Sequence, residues 1–104
     1  MILYNVTVSL TPEIEEEWLQ WIQDEHIPEV LATQKFESAQ LVKIYDEHQN
    51  ATGSYAVQYK VTNQAQLTAY LKNDAERLRQ KIQERFGNQL LTFRTFLNIS
   101  TEQK

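Results

Sequence analysis

The 104-residue chain contains no cysteine, two glycines and two prolines. Without cysteine there is neither a disulfide framework nor a thiolate zinc site, which points to a reducing compartment. Two glycines cannot form a phosphate-cradling loop, and no serine occupies a nucleophile elbow, so nucleotide-dependent and serine or cysteine hydrolase chemistry is disfavoured. No apolar run approaches the roughly 18 residues that a membrane span needs, and no charged leader precedes the first apolar segment. The expectation is a cytoplasmic protein with no membrane contact. Positive charge is also scarce: 10 Lys and Arg stand against 14 Asp and Glu, for a net charge of −4. The basic residues are scattered or lie beside acidic ones, a surface that repels phosphate backbones, so no nucleic-acid partner is expected.

What the chain does contain is alternation. In residues 2–10, Ile2, Tyr4, Val6, Val8 and Leu10 share one face and Leu3, Asn5, Thr7 and Ser9 the other, the period of a half-buried strand. Thr11 offers a cap, Pro12 suits a first helical position, and Ile14, Trp18, Trp21 and Ile22 recur at helical spacing. Pro28 restricts the residue before it to extended conformations, so the helix is expected to stop or bend near His26, with a short further turn over 29–33. Residues 39–45 and 54–61 read as antiparallel strands joined by the polar loop 46–53. The first of these is expected to set Val42 and Ile44 on one face and Leu41, Lys43 and Tyr45 on the other. Asn63 caps a second helical region with a break near Asn73, and Gly87 terminates it. A fourth strand over 90–99 divides into Leu91, Phe93, Leu97 and Ile99 on one face and Thr92, Arg94, Phe96 and Asn98 on the other. The tail from Ser100 is expected to fray.

Strand, helix, strand, strand, helix, strand is the order of a split βαβ unit. The expected fold is therefore a single ferredoxin-like α+β domain over 1–104, with a four-stranded antiparallel sheet. Two helices cover one face of such a sheet. The other face is expected to present Leu3, Asn5, Thr7, Leu41, Tyr45, Ala56, Gln58, Thr92, Arg94 and Phe96, too apolar to be fully wet and too polar to be core. Such a mixed surface suits a homodimer interface or a ligand cavity.

The runs ILYNVTV at 2–8, WLQWIQDEHIPEVLAT at 18–33, YAVQY at 55–59 and FRTFL at 93–97 resemble those of an uncharacterised bacterial family classed as a domain of unknown function. The resemblance spans nearly the whole chain. It implies the dimeric α+β-barrel type of ferredoxin-like fold, a superfamily that includes cofactor-free monooxygenases, isomerases, haem enzymes and effector-sensing domains. It implies no substrate, because a fold hosts many chemistries.

His26 is the sharpest candidate for chemistry: it ends the first helix near a proline-forced exit, and an imidazole with a pKa near 6.5 exchanges protons at neutral pH. The competing reading is a histidine held by the last helix carbonyls. Arg94 could bind a carboxylate or phosphate, or face developing oxyanion charge, with Asn5 and Gln58 fixing orientation from the same sheet face. Those three could equally be interface hydrogen-bonding groups. Tyr45 and Trp21 complete the candidate ligand contacts, with Tyr59 a weaker case, although tyrosines in strands and a tryptophan pair at helical spacing are also accounted for by packing. Glu25 would share the stripe of Trp18 and Ile22 if the helix continued, and otherwise points to water. His48, in the loop Asp46-Glu47-His48, has no partner histidine one turn away, so no metal and no organic cofactor is expected. The expected function is small-molecule binding in a homodimer, extending to cofactor-free monooxygenase- or isomerase-like catalysis. The alternative is a non-catalytic dimerising or effector-sensing module.

Overall fold

The computed structural model describes residues 1–104. Strand β1 (Ile2–Leu10) leads through a 3-10 turn (Pro12–Ile14) into α1 (Glu15–Trp21), a π-helical turn (Ile22–His26) and α2 (Ile27–Ala32). Strands β2 (Ser38–Tyr45) and β3 (Ala51–Val61) follow, then α3 (Gln64–Asn73), α4 (Ala75–Phe86) and β4 (Leu90–Asn98). The four strands form one antiparallel sheet in the order β2-β3-β1-β4. This is the ferredoxin-like α+β arrangement that the alternation of the sequence implies.

The first helix does not stop before Pro28. A proline ring inside a regular helix collides with the carbonyl four residues back and removes one hydrogen bond. Here the helix widens instead: the Ile27 N–H donates to the Ile22 carbonyl, five residues back, and the chain continues helically through Pro28. Gln34, with φ of 63°, then reverses the chain, its N–H donating to the Leu31 carbonyl. The second helical region is broken as expected. The boundary residue is Asp74, whose carboxylate receives Lys35 Nζ at 2.7 Å and Arg77 Nη2 at 3.3 Å rather than capping a backbone N–H.

Helices cover the face of the sheet that carries Tyr4, Val8, Tyr55, Val57, Tyr59 and Val61, all buried. Strand register decides which residues of the edge strands join them. Leu41 lies opposite Val57 and Lys43 opposite Tyr55, so Leu41 is on the helix side, whereas Val42 and Ile44 lie on the open face. In β4, Arg94 lies opposite Val6, Thr92 opposite Val8 and Phe96 opposite Tyr4. The expected assignment of this strand is thus inverted: Thr92, Arg94 and Phe96 point toward the helices. Leu91, Phe93 and Leu97 occupy the open face, and are 66%, 64% and 41% exposed. A ladder fixed by the turn after α4 overrides the preference of the more apolar set for the interior.

That turn depends on Gly87, at φ 57° and ψ −125°, a conformation that side chains with a Cβ avoid. No neighbouring atom lies within 4 Å of the position a Cβ would take, so any cost of a side chain there is conformational. Gly87→Ala is expected to lower stability by about 1–3 kcal/mol in urea unfolding; an unchanged midpoint would mean that the turn relaxes freely.

Candidate functional site

Inverting β4 moves Arg94 away from Asn5 and Gln58 and toward His26. A narrow cavity of about 30 Å³ lies between the sheet and the helices, lined by His26, Arg94, Tyr4, Tyr59 and Tyr70 among mainly apolar side chains. Trp18 and Leu78 are among its walls. The volume has room for about two waters, or for a group of two or three heavy atoms. Outside it lies an open cleft of about 600 Å³ between α4 and β4, and the two spaces share Arg79, Ile82, Leu90, Thr92 and Arg94. A cavity does connect His26 with Arg94, but its inner part is an order of magnitude smaller than a whole drug-sized ligand requires.

The π turn delivers His26 to this space. In a regular helix, residues five apart differ by about 140° in direction, because a turn takes 3.6 residues. Through the widened turn Trp21 and His26 instead stack, with ring centroids 5.0 Å apart at 22°. The same turn sends Glu25 outward, where its carboxylate lies 3.6 Å from Arg85 Nη1 and is more than half exposed. Glu25 therefore points to water although the helix continues. Trp21 packs edge-on against Phe86 at 5.2 Å and does not line the inner cavity; Trp18 does.

The electrostatics of the cavity are one-sided. Burial pulls the His26 pKa down to about 4; Glu29 opposes the shift, and Arg94 and Lys81 add to it. His26 is thus neutral at pH 7, which corrects the expectation of a group titrating near neutrality. Arg94 Nε donates to the Tyr4 hydroxyl at 3.1 Å and Nη1 to Thr92 Oγ1 at 3.4 Å, and no carboxylate pairs with it. The Tyr59 side chain is 2% exposed and its hydroxyl has no hydrogen-bond partner. Burial pushes the Tyr59 and Tyr70 phenols above their ordinary range, with Tyr4 adding to the effect at both. Tyr55, by contrast, donates to Glu15 Oε2 at 2.6 Å.

The other candidates lie elsewhere. Asn5 is on the open face, where Nδ2 donates to Thr95 Oγ1 at 3.0 Å and Thr7 Oγ1 at 3.2 Å while Oδ1 is buried without a partner. Gln58, on the same face, accepts from Gln40 Nε2 at 2.7 Å. Tyr45 is an exposed residue at the far edge of β2, under Lys43 Nζ at 5.6 Å from its ring centroid. His48 is an exposed turn residue 3.6 Å from Glu47 Oε1. The structure therefore brings together His26, Arg94 and Tyr59, and separates them from Asn5, Gln58 and Tyr45. Tyr4, Tyr70 and Arg79 were not read as cavity residues in the sequence. Only their convergence on one face of β1, α3 and α4 marks them.

Residues 1–100 match the family described as "Domain of unknown function (DUF4286)", and the chain belongs to that family. No curated protein matches it. Among solved structures, it is similar to a dimeric ferredoxin-like protein from an uncultured marine organism (13% identity, 100% of this chain and 99% of that one, TM-score 0.65). It is also similar to an uncharacterized NIPSNAP domain protein from Burkholderia xenovorans (21% identity, 94% and 93%, TM-score 0.63). A provisionally assigned antibiotic biosynthesis monooxygenase from Deinococcus radiodurans aligns at 14% identity over 100% and 97% of the two chains, with a TM-score of 0.64. At these identities the likeness establishes the ferredoxin-like α+β fold. No helix of the chain is long and apolar enough to cross a membrane.

In the unfolded chain His26 takes up a proton near pH 6.5, and in the folded protein only near pH 4. Between those values the unfolded state binds more protons, so the stability present above pH 6.5 is lost as pH falls, by about 3 kcal/mol in all. His26→Phe should remove that component while keeping the stack on Trp21. Urea unfolding of both proteins at pH 7 and pH 4.5 measures it, and parallel pH profiles would refute it. Tyr59→Phe deletes a buried hydroxyl that has no partner, so the variant should be as stable as the parent or more stable by about 1–2 kcal/mol. Loss of stability would show that the hydroxyl is satisfied in solution.

Proposed function

We propose that the protein binds a small molecule through the cavity between sheet and helices in each protomer of a homodimer. The observation that carries this reading is a set of polar groups around one mainly apolar cavity: a buried neutral imidazole, a half-buried arginine without a carboxylate and a buried phenol without a partner. A buried hydroxyl left without a partner costs stability, and one that lies beside a cavity lined by an arginine and an imidazole supports the reading of a site. The inner cavity would take one end of the ligand and the outer cleft its body.

Self-association through the open sheet face is supported by two features. That face carries Leu91, Phe93 and Leu97 in exposed positions on one edge strand, with Val42 and Ile44 on the opposite edge. Within it Asn5 Oδ1 is buried and unpartnered, as expected where a second chain supplies the donor. A similar solved structure is itself described as dimeric. Asn5 and Gln58 thus belong to the proposed interface and not to the ligand site.

For catalysis, Arg94 would face developing oxyanion charge and His26 would accept a proton, as in a cofactor-free monooxygenase- or isomerase-like reaction. An imidazole whose conjugate acid loses its proton near pH 4 is a weak base, which confines such chemistry to substrates with an already acidic proton. Binding without turnover, as in an effector-sensing module, asks less of the site and is the reading its electrostatics favour.

Nuclear magnetic resonance titration with a library of small aromatic and carbonyl compounds tests the site. Binders should shift the Trp18 indole and His26 imidazole signals together; binders that move only open-face residues would place the ligand elsewhere. Sedimentation equilibrium tests the assembly. The parent should sediment as a dimer, and Phe93→Asp should weaken it at least 100-fold; a monomeric parent would remove the interface.

A further inference from the structure

The polar groups of the inner cavity differ in number from the acceptors available to them. Arg94 retains guanidinium hydrogens directed to no carboxylate, because its only hydrogen bonds go to Tyr4 and Thr92. The Tyr4 hydroxyl accepts from Arg94, so its own hydrogen is left to donate, and no acceptor takes it. Tyr59 donates to nothing, and Tyr70 forms no side-chain hydrogen bond either. A neutral imidazole adds one N–H. The acceptors facing these donors are all uncharged, namely Thr92 Oγ1, already engaged by Arg94, one imidazole nitrogen and the phenol oxygens, and none of the 14 Asp and Glu residues lines the cavity.

The cations are distributed in the same sense. Of the four arginines, Arg77 is paired with Asp74 and Arg85 with Glu25. The two without a carboxylate, Arg79 and Arg94, are the two that line the cavity and its outer cleft. Glu76 lines the outer cleft without pairing to either arginine, so it is the inner cavity that holds positive charge and no carboxylate.

Building on the small-molecule reading above, we infer that the cavity is a receptor for a carboxylate, held by Arg94 and the Tyr59 and Tyr70 hydroxyls, with the body of the ligand lying along Ile82 and Leu90 in the α4–β4 cleft, which Arg79 and Glu76 also line. Size and charge choose carboxylate over phosphate. A planar three-atom head suits so narrow a space better than a tetrahedral one, and its single negative charge matches Arg94, the one arginine hydrogen-bonded to the cavity wall. The orphan Tyr59 hydroxyl, buried at a cost to stability, gains its acceptor when the carboxylate enters.

The test is titration of the intact protein with benzoate, with its neutral counterpart benzamide and with inorganic phosphate, followed through the imidazole nitrogens of His26 and the Trp18 indole. Benzoate should bind saturably and move both reporters, with benzamide and phosphate each at least tenfold weaker. Bound anion should also move the His26 titration upward, since a negative charge joins Glu29 in opposing Arg94 and Lys81. Arg94→Gln should reduce benzoate affinity at least tenfold. Tyr59→Phe, which removes only a hydroxyl with no partner in the folded chain, should reduce it several-fold with the fold intact, and so keeps the test decisive if Arg94→Gln does not fold. Benzamide binding as tightly as benzoate, or benzoate binding equally to Tyr59→Phe, would overturn the carboxylate assignment while leaving a small-molecule site. Phosphate binding as tightly would overturn the planar head group, and failure of all three ligands and of every library compound to move the reporters would overturn the site itself.

Discussion

The pairing of β4 with β1, which sets Arg94 opposite Val6, is the constraint on which everything else in this molecule depends. Side chains alternate along a strand, so a slip of one residue would exchange the two sets entirely. In the observed register Arg94 enters the space beneath the helices, and Leu91, Phe93 and Leu97 are delivered to the open face. One backbone ladder thereby makes both the polar cavity and the apolar surface. The turn at Gly87 and the Leu10–Leu90 pairing at the start of the strand hold that ladder in place.

A second local device works with it. Pro28 prevents a regular helical path, and the widened turn over Ile22–His26 absorbs the missing hydrogen bond. The extra residue in the turn rotates His26 inward onto Trp21 and Glu25 outward to Arg85. The interior therefore receives an imidazole and no carboxylate. Burial keeps that imidazole uncharged, so the positive charge of the cavity comes from Arg94 and Arg79 alone, and hydrogen-bond donors are in surplus.

Much of the fold was legible because its signals are local. The alternation of β1 and β3, the break before Asp74 and the glycine terminator of α4 each reflect a preference of a few consecutive residues. The faces of β2 and β4 were not legible in the same way. In β4 the more apolar set, Leu91, Phe93 and Leu97, faces away from the helices, and no local rule distinguishes a surface meant for another chain from one meant for the core. His26 could be singled out from its place before a proline, but for the wrong reason: the helix does not end there. Tyr59 looked like an ordinary packing tyrosine, and only the geometry shows that its hydroxyl is left alone. Arg94 stands out in the sequence, but its neighbours do not follow from it, since Asn5 and Gln58 lie across the sheet from Arg94.

The tyrosines show how packing and polarity share the interior. Tyr4 lies within 6.0 Å of the rings of Phe36, Tyr59, Tyr70 and Phe96, an aromatic cluster that fills the layer between sheet and α3. Its hydroxyl meanwhile holds the guanidinium of Arg94. The most direct measurement of this arrangement is a nuclear Overhauser spectrum of the Arg94 side chain. Cross-peaks from its δ-methylene and ε-proton to the Tyr4 ring are predicted, with none to the Asn5 or Gln58 side chains of the same protomer. Cross-peaks to Asn5 in place of Tyr4 would mean that β4 presents its other face to the helices, and would contradict the placement from which both cavity and interface follow.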